Sequence, residues 1–131
     1  MNQDQNFKVW WDEKNQIIRS ILIGNQKLSD AKGFVEQIIK LMKEKREGGI
    51  SVFSSINDAT EANMSFAPEI RKVYTNFLIE GRKGGYFNKT AIFGLRPTTR
   101  MIVNFLIGFS GDKSIKFFDT EKNALKWIEK K

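Results

Sequence analysis

Residues suited to binding an anion stand together in the segment 94–100. Pro97, Thr98 and Thr99 are typical of the first turn of a helix, where free backbone N–H groups and the helix dipole attract negative charge. The side chains of Arg96, Thr98 and Thr99 add donors that suit a phosphate or a carboxylate. A plain strand-to-helix turn needs the same residue types. The segment therefore predicts either an anion site or an ordinary helix start.

A second polar group precedes it in the chain, formed by Ser54, Ser55, Asp58 and Glu61. Two carboxylates near serines could support acid–base chemistry or Mg²⁺ binding. However, the chain contains no His and no Cys. The usual base of a serine nucleophile, the usual zinc ligands and disulfides are therefore all missing. We expect a protein that is not an enzyme and that holds no metal and no cofactor.

A third feature is the segment 101–109, in which only Asn104 and Gly108 are not apolar. A helix that is apolar nearly all round must be covered on more than one side. The cover could be the protein's own sheet and last helix, a second copy in a homodimer, or a ligand in an apolar pocket. The residues predicted to form this pocket or interface are Met101, Ile102, Phe105, Leu106 and Phe109.

Most of the net charge of +7 comes from residues 71–100. Such a basic segment predicts either an anionic partner or a helix with a solvated outer face. Nucleic acid is disfavoured as the partner, because most aromatic residues of this segment fall on a buried stripe or a strand rather than on an exposed stacking surface. No helix-turn-helix or RNA-recognition signature is present.

The elements that must position these residues follow from hydrophobic periodicity. Two strands, Phe7–Asp12 and Ile17–Gly24, predict an antiparallel hairpin, and helices and strands then alternate to the end of the chain. The strands read as nearly continuous apolar runs, which favours a mostly parallel sheet. We predict an α/β fold with a single-layer, mixed, mostly parallel five-stranded sheet and four helices, in the order ββαβαβαβα.

Element boundaries were predicted from local signals. Ser29 is expected to cap a first helix, Asp30–Arg46, and Ile50–Ile56 is expected to be the third strand. A loop, 57–64, should follow, with Ser65 as the cap of the second helix and glycines from Gly81 onward ending it. Asp119 or Thr120 should cap the last helix.

A chain of 131 residues fits one domain, residues 1–131, in which residues 1–6 are expected to be a flexible N-terminal extension. The polar start has no apolar core of a secretory signal. The longest apolar stretch, 101–109, is far too short to span a membrane. These features predict a cytoplasmic protein with no membrane span.

The order of elements, together with particular residues, resembles the SpoIIAA-like branch of the STAS domains, which are small bacterial α/β modules. The resemblance covers residues 7–129. It is carried by Ile17-Ile18-Arg19 with Gly24, by Leu28-Ser29-Asp30, by Ala91-Ile92-Phe93-Gly94, and by the closing segment from Phe118-Asp119-Thr120-Glu121 to Trp127-Ile128.

The resemblance implies a stand-alone, SpoIIAA-like bacterial regulatory module. In the anti-sigma-factor antagonists of that family, a serine of an Asp-Ser-Ser-Gly motif is phosphorylated. The corresponding segment here, 56–68, has no such motif, and Ser65 lies near the place where that serine would fall. Ser65 is therefore the candidate phosphosite.

Two function hypotheses result. The first is a non-enzymatic cytoplasmic module that binds a protein partner or a small anionic or lipid-like ligand. The second is a partner-switching regulator of the anti-sigma-factor-antagonist type, controlled by phosphorylation of Ser65 or a nearby serine.

Overall fold

The computed structural model describes residues 5–65, 67–110 and 114–130, and within 105–110 it describes the backbone but not the side chains. Within these ranges the predicted order ββαβαβαβα is confirmed. The strands are β1 (Phe7–Asp12), β2 (Ile17–Asn25), β3 (Phe53–Asn63), β4 (Phe87–Phe93) and β5 (Ile115–Phe118). The helices are α1 (Leu28–Glu47), α2 (Pro68–Lys83), α3 (Pro97–Ser110) and α4 (Glu121–Glu129).

The five strands lie in one sheet in the order β1-β2-β3-β4-β5. β1 and β2 pair as the predicted antiparallel hairpin. Each later strand is parallel to its neighbour, because a helix carries the chain back to the starting edge before the next strand begins. The predicted mixed, mostly parallel sheet is therefore confirmed.

The hairpin turn is held by Asp12. Asn15 donates from its side-chain and backbone nitrogens to the two carboxylate oxygens of Asp12, at 2.8 and 3.0 Å. The guanidinium of Arg19 also donates to this carboxylate, at 3.1 Å. These bonds, above all the one from the Asn15 side chain, lower the pKa of Asp12 to about 2.

Helices cover both faces of the sheet, because successive strand residues point to opposite sides. One face packs against α1 and α2, and the other packs against α4. The buried core of the first face consists of Phe7, Ile18, Leu22, Phe34, Val35, Ile38, Met42 and Phe53. The buried core of the second face consists of Ile17, Ile56, Ala91 and Ala124.

The third strand differs from the prediction. Its beginning, Ile50–Val52, is not part of β3, and the predicted loop 57–64 is mostly strand, since β3 continues to Asn63. Polar residues there form a strand because their backbone is paired: Asn57 and Asp58 pair with both β2 and β4, and residues 61–63 pair with β2 alone. The ladder supplies hydrogen bonds to a backbone whose side chains would otherwise favour a loop.

Two helix boundaries also differ. α1 begins at Leu28, and Asp30, not Ser29, satisfies its first turn by accepting from the backbone N–H of Lys27 at 2.9 Å. α2 begins after Ala67 rather than after a cap at Ser65. It also continues through Gly81. A glycine is needed at this helical position because a β-carbon would lie 1.9 Å from the ring of Phe87.

The cap of the last helix is as predicted. The Thr120 hydroxyl accepts from the backbone N–H of Asn123 at 3.2 Å.

At the other end of the chain, the carbonyl of Asn6 accepts from Ile23 N at 2.8 Å and from the Gln26 side chain at 2.9 Å. Asn6, which was assigned to a flexible extension, is thus bonded to the end of β2, and residues 1–4 lie outside the described ranges.

None of the helices in the described ranges combines the length and the apolar character that crossing a lipid bilayer requires.

Candidate functional site

A cavity of about 180 Å³ lies between the sheet and the helices α1 and α2. Its sheet side is formed by Ile18, Leu22, Phe53, Ser55, Asn57, Ala59, Phe87, Thr90, Ile92 and Ile115. Its helix side is formed by Phe34, Ile38, Ile70, Arg71, Tyr74, Thr75, Phe77 and Leu78, and Met64, Ser65, Leu95 and Val103 complete it. Hydrocarbon dominates these walls, so the cavity suits a small apolar molecule.

Polar side chains interrupt the sheet side of the cavity. Ser20 is buried, and its hydroxyl donates to Asn57 Oδ1 at 2.6 Å. The amide nitrogen of Asn57 donates to the carbonyl of Ala91 at 3.1 Å and to Ser55 Oγ at 3.3 Å. The hydrogen bonds therefore run across three strands, from β2 through β3 to β4.

The alternation along β3 brings two of these groups to the cavity. Phe53, Ser55, Asn57 and Ala59 occur at every second position, and all four line the cavity. Ser55 pairs in the ladder with Thr90 of β4, which lines the cavity as well. Two hydroxyl side chains therefore lie next to each other on its floor.

Tyr74 contributes a polar group from α2. Its ring packs edge-on against Phe34, with centroids 6.3 Å apart. Its hydroxyl is buried and has no hydrogen-bond partner in the described part of the chain. Burial, with a smaller effect of the negative charge of Asp30, raises the pKa of Tyr74 to about 12, so the hydroxyl keeps its proton at physiological pH.

The rim of the cavity carries Arg71, whose side chain is exposed. Among the described lining residues, it alone bears a charge. Ser65 lies on the same rim, is half-buried, and accepts from the backbone N–H of Ala67 at 3.4 Å.

The predicted anion-binding residues lie at the start of α3. Arg96 directly precedes the helix, and its carbonyl accepts from Arg100 N at 2.8 Å. Arg96 and Thr98 are exposed and Thr99 is half-buried. Leu95, the neighbour of Arg96, lines the cavity. Whether these three residues bind an anion stays a prediction.

Arg100, which the sequence did not single out, fixes the start of α3 to the end of β5. Its guanidinium donates to Asp119 Oδ1 at 3.3 Å and to the carbonyl of Phe117 at 3.2 Å. No local pattern reveals this role, because the contact joins positions that lie 17 and 19 residues apart.

The predicted apolar surface of α3 is described only in part. Met101 is 69% exposed and Ile102 is 43% exposed, whereas Val103 lines the cavity. The side chains of Phe105, Leu106 and Phe109 lie outside the described residues. The choice between pocket and interface for this set stays a prediction.

The predicted cluster of Ser54, Ser55, Asp58 and Glu61 lies on one strand, which includes Asp58 and Glu61 from the predicted loop. Asp58 accepts from the backbone N–H of Thr60 at 3.0 Å, and Ser54 accepts from that of Lys89 at 3.4 Å. Glu61 is exposed. In the described ranges, no three acidic side chains come together in a way that could hold a metal ion.

Sequence reasoning missed the cavity floor. The sequence pattern places Ser55 in a polar cluster near the end of the third strand and singles out neither Asn57 nor Thr90 as a site residue. The available signal was the pair of polar residues, Ser55 and Asn57, at alternate positions of a strand that is buried on that face.

Comparison with protein-family models gives no match, and neither does comparison with curated proteins. A solved structure is similar to this chain: an uncharacterized protein of the DUF3478 family with a SpoIIAA-like fold, from Shewanella loihica PV-4. The two superpose with a TM-score of 0.58 and 21% sequence identity, over 93% of this chain and 91% of the other. The resemblance read from the sequence is thereby confirmed for the fold: this chain has a SpoIIAA-like fold.

Proposed function

We propose that this chain is a cytoplasmic, non-enzymatic binding module that holds one small, largely apolar molecule in the cavity between the sheet and α1/α2. The observation that carries the proposal is the cavity itself, whose walls come from the core of the domain and whose rim reaches solvent beside Arg71. Because the cavity opens to solvent at this rim, its space of about 180 Å³ is accessible to a small molecule from outside.

The volume limits the size of the ligand. An apolar cavity of roughly 150 Å³ takes up a molecule the size of benzene, whereas pockets for drug-sized ligands begin at about 300 Å³. The cavity here, at about 180 Å³, fits a single ring or a short branched acyl group. A larger lipid-like molecule would have to leave part of its length at the rim.

Cumene (isopropylbenzene) is a suitable apolar probe for this proposal. At roughly 0.5 kcal/mol per heavy atom, such a small ligand binds with a Kd of about 1 mM. Cumene dissolves in water only to somewhat below this Kd, and at such a concentration a ligand that binds only the folded state adds about 0.2–0.3 kcal/mol to its stability. We therefore expect saturated cumene to raise the Tm of the wild-type protein by about one degree.

Two variants of α2 distinguish the cavity from unspecific binding. Thr75 lines the cavity, and its neighbour Asn76 is exposed. Thr75→Phe should occupy the space and abolish the rise in Tm, while Asn76→Phe should preserve it. An equal rise in both variants contradicts the proposed function, and so does a wild type that binds neither cumene nor its carbonyl-bearing analogue acetophenone.

The second candidate is control by phosphorylation of Ser65. It is favoured by the position of Ser65, which is partly exposed, lies on the cavity rim and precedes the start of α2 by three residues. A phosphate there would meet the positive end of the α2 dipole. Phosphoproteomics of the native host should detect the modified serine under at least one growth condition. Its absence under all conditions counts against this candidate.

A further inference from the structure

We propose that the ligand carries a neutral acceptor oxygen, such as that of a ketone, aldehyde, ester or amide, which accepts hydrogen bonds from the hydroxyls of Ser55 and Thr90 on the cavity floor. This inference rests on the proposed function and narrows its ligand class. It excludes a pure hydrocarbon as the preferred ligand and places the polar end of the molecule inside, against the sheet.

Two hydrogen bonds fix the orientation of the Asn57 side-chain amide. One end of the amide lies 3.1 Å from the carbonyl oxygen of Ala91, which can only accept. That end must therefore be the nitrogen, and the oxygen must face Ser20 at 2.6 Å. The hydroxyl of Ser20 is consequently the donor of that bond.

This orientation of Asn57 determines the hydrogen bonding of Ser55. The Asn57 nitrogen also lies 3.3 Å from Ser55 Oγ, so this oxygen accepts a hydrogen bond from Asn57. The hydroxyl proton of Ser55 then needs an acceptor of its own. Nothing in residues 5–65, 67–110 or 114–130 accepts it, and Ser55 lines the cavity. A donor is thus left for a group that enters from the cavity.

Thr90 provides a second hydroxyl beside Ser55. Ser55 and Thr90 are ladder partners on adjacent parallel strands, whose backbones run about 4.8 Å apart, and both line the cavity. The Thr90 hydroxyl likewise has no hydrogen bond to any described residue, although the backbone N–H of Thr90 donates to Ser114 O at 2.9 Å. One acceptor oxygen placed above this pair can accept a hydrogen bond from each hydroxyl.

The charge of the ligand's polar group is limited by the lining of the cavity floor. A carboxylate on the floor would be removed from water without a cation beside it, because the charged residue of the described lining, Arg71, lies at the exposed rim. Burying an unpaired charge is far more costly than burying a hydrogen-bonded neutral oxygen. The floor therefore favours a carbonyl over a carboxylate.

A matched pair of probes tests this inference. Acetophenone and cumene have nearly the same size and shape, but only acetophenone has a carbonyl oxygen. A neutral hydrogen bond changes affinity by about two- to tenfold. We expect Thr90→Val to lower acetophenone affinity by about threefold or more, and Ser55→Ala to act in the same direction. Cumene affinity should stay the same or rise in both variants.

The conservative variant Thr90→Ser, which keeps the hydroxyl, should retain acetophenone binding and shows that a loss in Thr90→Val is not a folding defect. Acetophenone affinity that changes less than twofold in both Thr90→Val and Ser55→Ala, or that falls together with cumene affinity, overturns the inference and leaves the proposed function standing. If the wild type binds neither probe, the proposed function itself fails.

Discussion

The hydroxyl of Ser20 donates a 2.6 Å hydrogen bond to Asn57 Oδ1 within a sheet face that packs mostly with hydrocarbon side chains. Ser20 is 2% exposed, so the bond is shielded from water in the intact protein. A buried hydrogen bond of this kind contributes about 1 kcal/mol, whereas leaving one partner unsatisfied costs about 1–3 kcal/mol. The pair therefore links β2 to β3 and fixes the amide that orients Ser55.

A double-mutant cycle on this pair gives the first prediction. Asn57→Ala leaves the Ser20 hydroxyl and the Ala91 carbonyl without their side-chain partner, so we expect it to lower the free energy of unfolding by about 2–3 kcal/mol. Ser20→Ala should cost less. Urea unfolding should show that the double variant loses less than the sum of the two single changes. Strict additivity would mean that the two side chains do not interact.

The unpartnered hydroxyl of Tyr74 gives the second prediction. Tyr74→Phe removes a buried polar atom that has no partner in the described part of the chain. The free energy of unfolding at pH 7 should therefore stay unchanged or rise by up to about 1 kcal/mol. A loss of more than about 1.5 kcal/mol would show that the hydroxyl has a protein partner.

The same variant has an alkaline signature. Tyr74 has a pKa of about 12 in the folded protein and the ordinary value of 10.0 in the unfolded chain. Between these two pH values the unfolded chain loses a proton that the folded protein keeps, so the contribution of Tyr74 to stability falls as pH rises through this window. Tyr74→Phe should show a flatter decline than the wild type from pH 10 to 12. Parallel curves would contradict the raised pKa.

The third prediction concerns the junction between β4 and α3. Gly94 has a φ of +86°, and a β-carbon there would lie 2.1 Å from Thr60 Oγ1 and 2.8 Å from Thr60 Cα. Gly85 also has a positive φ, of +67°, but a β-carbon there meets nothing within 4 Å. Gly85→Ala should therefore cost about 1 kcal/mol, from the backbone alone, whereas Gly94→Ala should cost at least about 2 kcal/mol. Chemical denaturation measures the free energy of unfolding of both variants. Equal losses in the two would show that Thr60 moves away from the new β-carbon at no cost in stability.

The fourth prediction tests the anion site at the start of α3. The probe is 4-isopropylbenzoate, which adds a carboxylate to cumene. If Arg96, with Thr98 and Thr99, holds an anion at the rim, Arg96→Ala should lower the affinity for this probe by about threefold or more at low salt, and cumene affinity should not change. Arg71→Ala is the matched control, because Arg71 is the other exposed arginine near the cavity. A loss in Arg71→Ala with none in Arg96→Ala would move the anion to Arg71.

The fold was largely predictable because the apolar periodicity of the strands and helices survives in the structure. The end of β3 was not predictable, since residues 57–63 have the composition of a loop and form a strand only through pairing, at first with both β2 and β4 and then with β2 alone. Local signals misled in the same way at the start of α1, where Ser29 resembles a cap but Asp30 satisfies the first turn.

The candidate site was harder to predict for a geometric reason. Ser55 and Thr90 are separated by the whole of α2, and only the register of β3 against β4 makes them neighbours. The Ser20–Asn57 bond likewise joins two strands across α1. No pattern within a single element contains this information, so the sequence does not predict the hydroxyl pair on the cavity floor.

The central claim is that the cavity between the sheet and α1/α2 binds a small molecule. The most direct measurement is a titration of acetophenone into methyl-labelled wild-type protein, followed by NMR. The account predicts saturable shifts that are largest at the methyl groups of Leu22, Ala59 and Ile92, which line the cavity, and absent at Ala124 on the opposite face of the sheet. Shifts of equal size on both faces, or no shift at millimolar acetophenone, would contradict it.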